Sequence, residues 1–174
     1  MFKDYYPYAH VKSVFTIDYL ALYRKGYKGL IFDIDNTLVH HGDDSTAQID
    51  ALFEQLKAMG FITLLLTNNE EKRVKRFTRN IDTLYICDAD KPDTKNYLKA
   101  LKMMGLSNNN TVFIGDQLFT DILGANKSHI PSILVDFIRI DNSKIGKKRY
   151  LEKGILWFYQ HNKRYCNRLK NIEK

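Results

Sequence analysis

Asp33 and Asp35 flank a single isoleucine in the segment Phe32-Asp33-Ile34-Asp35-Asn36-Thr37-Leu38-Val39. Alone, two carboxylates so placed at the end of an apolar run are a weak signal. Three later segments also end apolar runs in polar residues: Thr67-Asn68-Asn69, Asp88-Ala89-Asp90-Lys91-Pro92, and Gly115-Asp116 with Asp121 five residues on. Gathered in one pocket, Asp33, Asp35, Asp116 and Asp121 would repel one another unless a cation stood among them. Hard oxygen donors in that number suit Mg2+, which binds through one or two carboxylates together with a substrate phosphate. Thr67, Asn68 and the neighbouring backbone amides could hydrogen-bond phosphate oxygens, and Lys91 supplies a positive charge for the same oxygens. Such a set suits phosphoryl transfer, where positioning and charge neutralisation are most of the catalysis. Singly, each residue has a plainer reading: Thr67 as a turn hydroxyl, Lys91 as a solvated cation, Asp116 as a helix cap. The force of the set lies in its order and spacing.

These residues need a frame that brings four chain segments to one edge. The hydrophobic pattern supplies it. Buried strands are expected at 29–34, 61–66, 83–87, 111–114 and 132–137. Helices are expected between them: one capped by Asp44 or Ser45 with Ile49, Leu52, Phe53 and Leu56 at three- and four-residue spacing, a polar one over 70–79, one from Pro92 to Gly105, and one over 119–127. Apolar strands alternating with helices predict an α/β fold, a Rossmann-like three-layer sandwich whose mostly parallel five-stranded sheet is covered on both faces. In such sheets polar residues at the carboxyl ends of strands converge.

The chain has 174 residues, 44% hydrophobic and 27% charged, which is one domain's worth of a globular protein. A membrane-spanning helix takes about 20 apolar residues, and no run approaches that. The N-terminus has no apolar core of a secretory signal, and Cys87 and Cys166 make neither a metal-ligand spacing nor a disulfide framework. A cytoplasmic protein is expected. The net charge of +7 is unevenly spread. Residues 144–174 hold ten Lys or Arg against Glu152 and Glu173, a net +8, while the other 17 basic and 18 acidic residues give −1. We therefore divide the chain into a single domain over 1–143, including the aromatic N-terminal segment, and a basic helical tail over 144–174. Leu151, Ile155, Phe158, Asn162, Tyr165, Leu169 and Ile172 recur at heptad-like spacing in that tail. It could pack on the body, lie at the periphery of an anionic membrane with Trp157 and Tyr159 near the interface, or pair with a partner helix. No recognised nucleic-acid-binding motif accompanies the charge, and no nucleic-acid partner is expected.

The four motifs, in their order, resemble those of the haloacid dehalogenase superfamily: Asp33-Ile34-Asp35-Asn36-Thr37-Leu38-Val39 motif I, Thr67 motif II, Lys91 motif III, and Gly115-Asp116 with Asp121 motif IV. The longer strings are similar to the small capless branch, subfamily IIIA, which includes YqeG-type proteins and phosphatidylglycerophosphate phosphatases. Thr67 stands where that group often has Ser, which keeps the hydroxyl, and the gap from Asp116 to Asp121 is one residue longer than in many relatives. The resemblance implies a capless core and a Mg2+-dependent phosphate monoester hydrolase. In it Asp33 would form an aspartyl-phosphate and Asp35 would act as acid and then base. Asp33, Asp116 and the backbone carbonyl of Asp35 would hold the metal. Asp121 would join the metal shell or orient Lys91, and Thr67 and Lys91 would bind the phosphoryl group. An open pocket suits a large or membrane-bound ester such as phosphatidylglycerophosphate. A soluble nucleotide or sugar phosphate is the alternative substrate, and a non-catalytic protein binding an anion through its tail is the alternative of another class.

Overall fold

The computed structural model describes residues 2–138 and 147–174. Strands β1 (Ala9–Val11), β2 (Gly29–Phe32), β3 (Ile62–Leu66), β4 (Leu84–Ile86), β5 (Thr111–Gly115) and β6 (Ser132–Val135) form one sheet in the order β1-β6-β5-β2-β3-β4, and every neighbouring pair is parallel. The helices are α1 (Tyr19–Arg24), α2 (Ala47–Ala58), α3 (Glu71–Phe77), α4 (Thr94–Met104), α5 (Leu123–Lys127) and α6 (Lys147–Gln160). The expected α/β sandwich is therefore present, with six strands rather than five. The sixth, β1, is three residues long with a histidine at its centre, and so short a pattern does not stand out from the aromatic segment around it.

Side chains alternate across the strands. Leu30, Phe32, Leu65, Val112 and Ile114 pack on one face with α1, α2 and α3. Ile31, Leu64, Leu66 and Phe113 pack on the other with α4 and α5, and Leu134 packs there with α6. The chain order reverses where β2 lies between β3 and β5, the place where an open α/β sheet leaves a crevice at its carboxyl edge.

Helix starts differ from expectation by local hydrogen bonding. The side chain of Thr46, not of Asp44 or Ser45, accepts the Ile49 amide at 3.3 Å and caps α2. Asp93 caps α4 by accepting the Lys95 amide at 2.8 Å, so Pro92 precedes the helix, joined to Lys91 by a cis peptide bond. The helix expected from Phe119 opens as a π-helical turn, Leu118–Ile122, before α5. Its wider i→i+5 winding lies in the gap from Asp116 to Asp121.

The basic tail is helical only through Gln160. Asn167 and Asn171 adopt positive φ, and the Asn167 amide and side chain bond the Tyr159 hydroxyl at 3.0 and 3.1 Å, so the chain turns back. The heptad-like stripe is thereby broken. Leu151 and Phe158 are exposed, whereas Glu152, Ile155 and Tyr159 form the buried face of α6. The last residues run along the body. The Leu169 amide donates to Tyr8 O at 3.0 Å, the Asp18 amide to Ile172 O at 2.7 Å, and Leu169 and Ile172 join the core. Lys144 and the boundary expected at 143/144 lie outside the described residues. Among the described residues no helix is long and apolar enough to cross a membrane.

Candidate active site

Asp33 follows β2 directly, and its amide donates to Ile114 O of β5 at 3.0 Å. Sheet pairing thus sets Asp33 beside Asp116, which follows β5. The carboxylates of Asp33, Asp116 and Asp121 offer oxygens within 4.8 Å of one another, and all three residues are buried. Asp121 reaches back from the π-helical turn. Its Oδ2 accepts the amides of Asp116 and Gln117, each at 3.1 Å. Gly115 makes room for this, because a Cβ there would stand 2.5 Å from that oxygen.

Lys91 enters the same space from the loop after β4. Its ammonium donates to Asp33 Oδ1 at 2.6 Å and to Asp121 Oδ1 at 2.7 Å. Burial pulls this ammonium down, but the charges of Asp121 and Asp33 outweigh it and hold the group above the usual lysine range. Burial pushes the Asp33 carboxyl up to about 6, with Lys91 pulling it back and Asp121 adding to the rise. The loop carrying Lys91 is tied to the loop after β3. Asn68 Oδ1 accepts the Lys91 amide at 2.8 Å, and the Ala89 amide donates to Thr67 O at 3.0 Å.

Asp35 is brought near but not into the three-carboxylate cluster. The expectation of four converging carboxylates is corrected to three with one apart, and the cause is a separate clasp. Asn69 Nδ2 donates to Asp35 Oδ2 at 2.7 Å, while the Gly42 amide and Arg73 Nη2 donate to Oδ1 at 3.0 and 3.2 Å. Burial raises this carboxyl, but those bonds and the charge of Arg73 outweigh it and hold it below the usual carboxylate range. Thr67 is buried and its hydroxyl oxygen accepts Asn69 Nδ2 at 2.9 Å. All seven residues singled out in the sequence lie at this edge, and five of them, Asp33, Asp35, Thr67, Asn68 and Lys91, line a cavity of about 190 Å3. A larger apolar cavity of about 600 Å3 lies between α1 and α2, walled by Tyr19, Leu20, Leu56 and Met59, and contains no part of the carboxylate cluster.

Sequence reasoning did not single out Thr37, Asn69 or Arg73. The Thr37 hydroxyl lies 3.3 Å from Asp33 Oδ2 and 3.4 Å from Asp116 Oδ1, spanning the two carboxylates. Its place four residues past Asp33, in a tight turn closed by Leu38 N→Ile34 O at 2.9 Å, was the available signal. Asn69 lies within the Thr67-Asn68-Asn69 string that was read, but no role was assigned to it. Arg73 sits in a helix whose composition reads as polar surface, so nothing in the sequence marks it.

The chain matches the family described as haloacid dehalogenase-like hydrolase over residues 42–129. It is 35% identical over 156 residues to "Probable phosphatase YqeG" of Bacillus subtilis, an alignment covering 88% of this chain and 91% of that protein. It is 26% identical over 170 residues to "Phosphatidylglycerophosphate phosphatase 1, chloroplastic/mitochondrial" of Arabidopsis thaliana, covering 86% of this chain and 49% of that one, about half its length. Among solved structures, the fold is shared with 3-deoxy-D-manno-octulosonate 8-phosphate phosphatase of Moraxella catarrhalis, in complex with magnesium, phosphate and the sugar. The TM-score is 0.50 at 18% identity, over 80% of this chain and 90% of that one.

Proposed function

Since the chain belongs to the haloacid dehalogenase-like hydrolases and is a phosphatase of that family, we propose that it cleaves phosphate monoesters through an aspartyl-phosphate on Asp33, with Mg2+ as cofactor and phosphatidylglycerophosphate as substrate. The observation that carries this reading is the Lys91 ammonium joined to both Asp33 and Asp121 beside Asp116. Three buried carboxylates whose oxygens lie within 4.8 Å of one another are a hard-oxygen donor set of the kind a divalent cation takes. The residues therefore fit a metal. Asp33 and Asp116 would hold it, with the backbone carbonyl of Asp35 as the third ligand that the family resemblance implies. Both oxygens of Asp121 are engaged by Lys91 and by backbone amides, which makes it the orienter of Lys91. When bound, the ion supplies charge neutralisation at the phosphoryl oxygens.

The ester's bridging P–O bond breaks as Asp33 forms its own bond to phosphorus, and the proton on Asp35 goes to the leaving alkoxide. Asp35, now a carboxylate, takes a proton from water, whose oxygen attacks phosphorus and releases Asp33. Asp35 needs a proton for the first step. The dianionic ester entering beside it supplies the negative charge that raises its affinity for one. Lys91 faces the transferring oxygens, and Thr67, its oxygen already accepting from Asn69, has its own hydrogen to donate to them. Asn68 holds the Lys91 backbone in place. The lipid substrate is favoured by the name of the Arabidopsis relative and by the shortness, among the described residues, of the segment between β2 and α2 that flanks the cavity of about 190 Å3.

Turnover of p-nitrophenyl phosphate with Mg2+ and with chelator tests the reaction, and radiolabelled phosphate trapped by acid quench tests the intermediate. Asp33→Asn is expected to abolish both, with loss of about a thousandfold or more in kcat. Retained turnover in that variant would remove the mechanism. A screen in which a soluble nucleotide or sugar phosphate shows the higher kcat/KM would replace the lipid substrate.

A further inference from the structure

Helix α6 has an apolar outer side as well as an apolar inner side. Its inner side, Ile155 and Tyr159, is buried against Tyr6, Leu118 and Leu134. At 100° per residue, Tyr150, Leu151, Gly154, Trp157 and Phe158 fall within about a third of the circumference, turned about 120° from the inner side. Those four side chains are 63%, 65%, 56% and 52% exposed. They form one surface. The rings of Trp157 and Phe158 lie 5.0 Å apart, and Phe2, itself exposed, stacks on Phe158 at 6.3 Å. A contiguous apolar patch of this kind on a folded domain marks a contact with something else.

The charge around the patch says what. The segment 144–174 carries +8. Lys153 stands at the patch edge with its ammonium 5.9 Å from the Tyr150 ring, and Lys163 and Arg164, both exposed, follow the helix end. A second copy would set the like charges of Lys153, Lys163 and Arg164 against their own counterparts, whereas an anionic surface reverses the sign. Trp and Phe on one side of a short helix flanked by cations suit the headgroup layer of a bilayer. The helix also adjoins the site. Glu152 accepts the Leu118 amide at 2.9 Å, two residues beyond Asp116, and a cavity of about 350 Å3 has Asp116 on one wall and Lys153 and Leu156 on another. We infer that the outer face of α6 docks on an anionic phospholipid bilayer, with Tyr150, Leu151, Trp157 and Phe158 entering the interface and the tail cations meeting lipid phosphates. This deepens the lipid-substrate reading, on which its purpose rests, but membrane docking is measurable without turnover.

Trp157 is the sole tryptophan, so its emission reports the patch directly. The full chain is titrated with phosphatidylcholine vesicles containing about a quarter phosphatidylglycerol, and with pure phosphatidylcholine. A blue shift with the anionic vesicles only, reversed by high salt, is expected. Leu151→Gln with Phe158→Gln should weaken binding about tenfold or more, while p-nitrophenyl phosphate turnover and Tm stay at wild-type values. No shift with anionic vesicles, or equal binding to pure phosphatidylcholine, overturns the inference. So does a concentration-dependent dimer that the same double variant abolishes, since the face would then belong to a second copy. Any of these leaves phosphatase activity untouched, so failure here is distinct from failure of the enzymatic reading.

Discussion

At Asp33 a buried carboxylate meets a buried ammonium at 2.6 Å, yet burial still leaves the carboxyl raised to about 6. The consequence for stability has a definite sign. In the unfolded chain an aspartate loses its proton near about 4. Between about 4 and about 6 the native state holds a proton that the unfolded state has released, so this group's contribution is present at acid pH and lost as pH rises through about 6. Asp35, held low by its clasp, acts in the opposite sense: its contribution is present above about 4 and is lost as pH falls and it gains a proton. Asp33→Asn keeps an acceptor for Lys91 and removes the titration. Thermal melts in chelator should therefore show the variant's Tm rising relative to wild type from pH about 4 to about 7; parallel curves would count against a raised carboxyl. Asp33 and Asp116 were legible because they end apolar runs, and Lys91 and Asp121 because they stand at short, ordered spacing after such runs. Thr37, Asn69 and Arg73 were not, because their roles consist of contacts to other site residues, and spacing along the chain does not encode those.

Among the elements, the loop from β5 through the π-helical turn is the most tightly fitted. A Cβ on Gly115 would meet Asp121 Oδ2 at 2.5 Å and its Cβ and Cγ at 2.6 Å, and Asp121 is fixed by Lys91 and two amides. Gly115→Ala should cost about 1–3 kcal/mol in stability and lower kcat about a hundredfold by displacing Lys91. Gly154, in the interior of α6, has nothing within 4 Å of a built Cβ and φ outside the left-handed region. Gly154→Ala should raise stability by about 0.5–1 kcal/mol. Denaturant melts of the pair, with kcat for Gly115→Ala, check both signs. Strands β2, β3, β5 and β6 were legible as apolar runs of four or five residues, buried along nearly their whole length. β1 was not, since three residues carry too little pattern. The tail was misread for a different cause. Heptad spacing continues through Ile172, but the chain turns at Asn162–Asn167, and Leu169 and Ile172 reach the core from an extended segment rather than a helix face.

For the molecule as a whole, charge suggested a neutral body with a separable basic tail, whereas packing joins the described part of that tail to the body. Composition locates charge but not contacts. The same 31 residues carry lysines and arginines and also Ile155, Tyr159, Leu169 and Ile172, these four buried. Each such side chain contributes about 1.5–3 kcal/mol on burial. Four of them amount to about 6–12 kcal/mol, the order of a whole domain's stability of about 5–15 kcal/mol. Glu152 adds its bond to the Leu118 amide, and Ile17 pairs with Glu173 beside the N-terminal segment. Removing residues 147–174 should therefore cost the fold itself. Near-UV circular dichroism of the truncated chain should be lost and its cooperative melt abolished, while the outer-face substitutions at Leu151 and Phe158 leave both intact. If the truncated chain melted cooperatively near the wild-type Tm and retained phosphatase turnover, the tail would be an appendage after all. The contacts of Leu169 and Ile172 with the core would then contribute little.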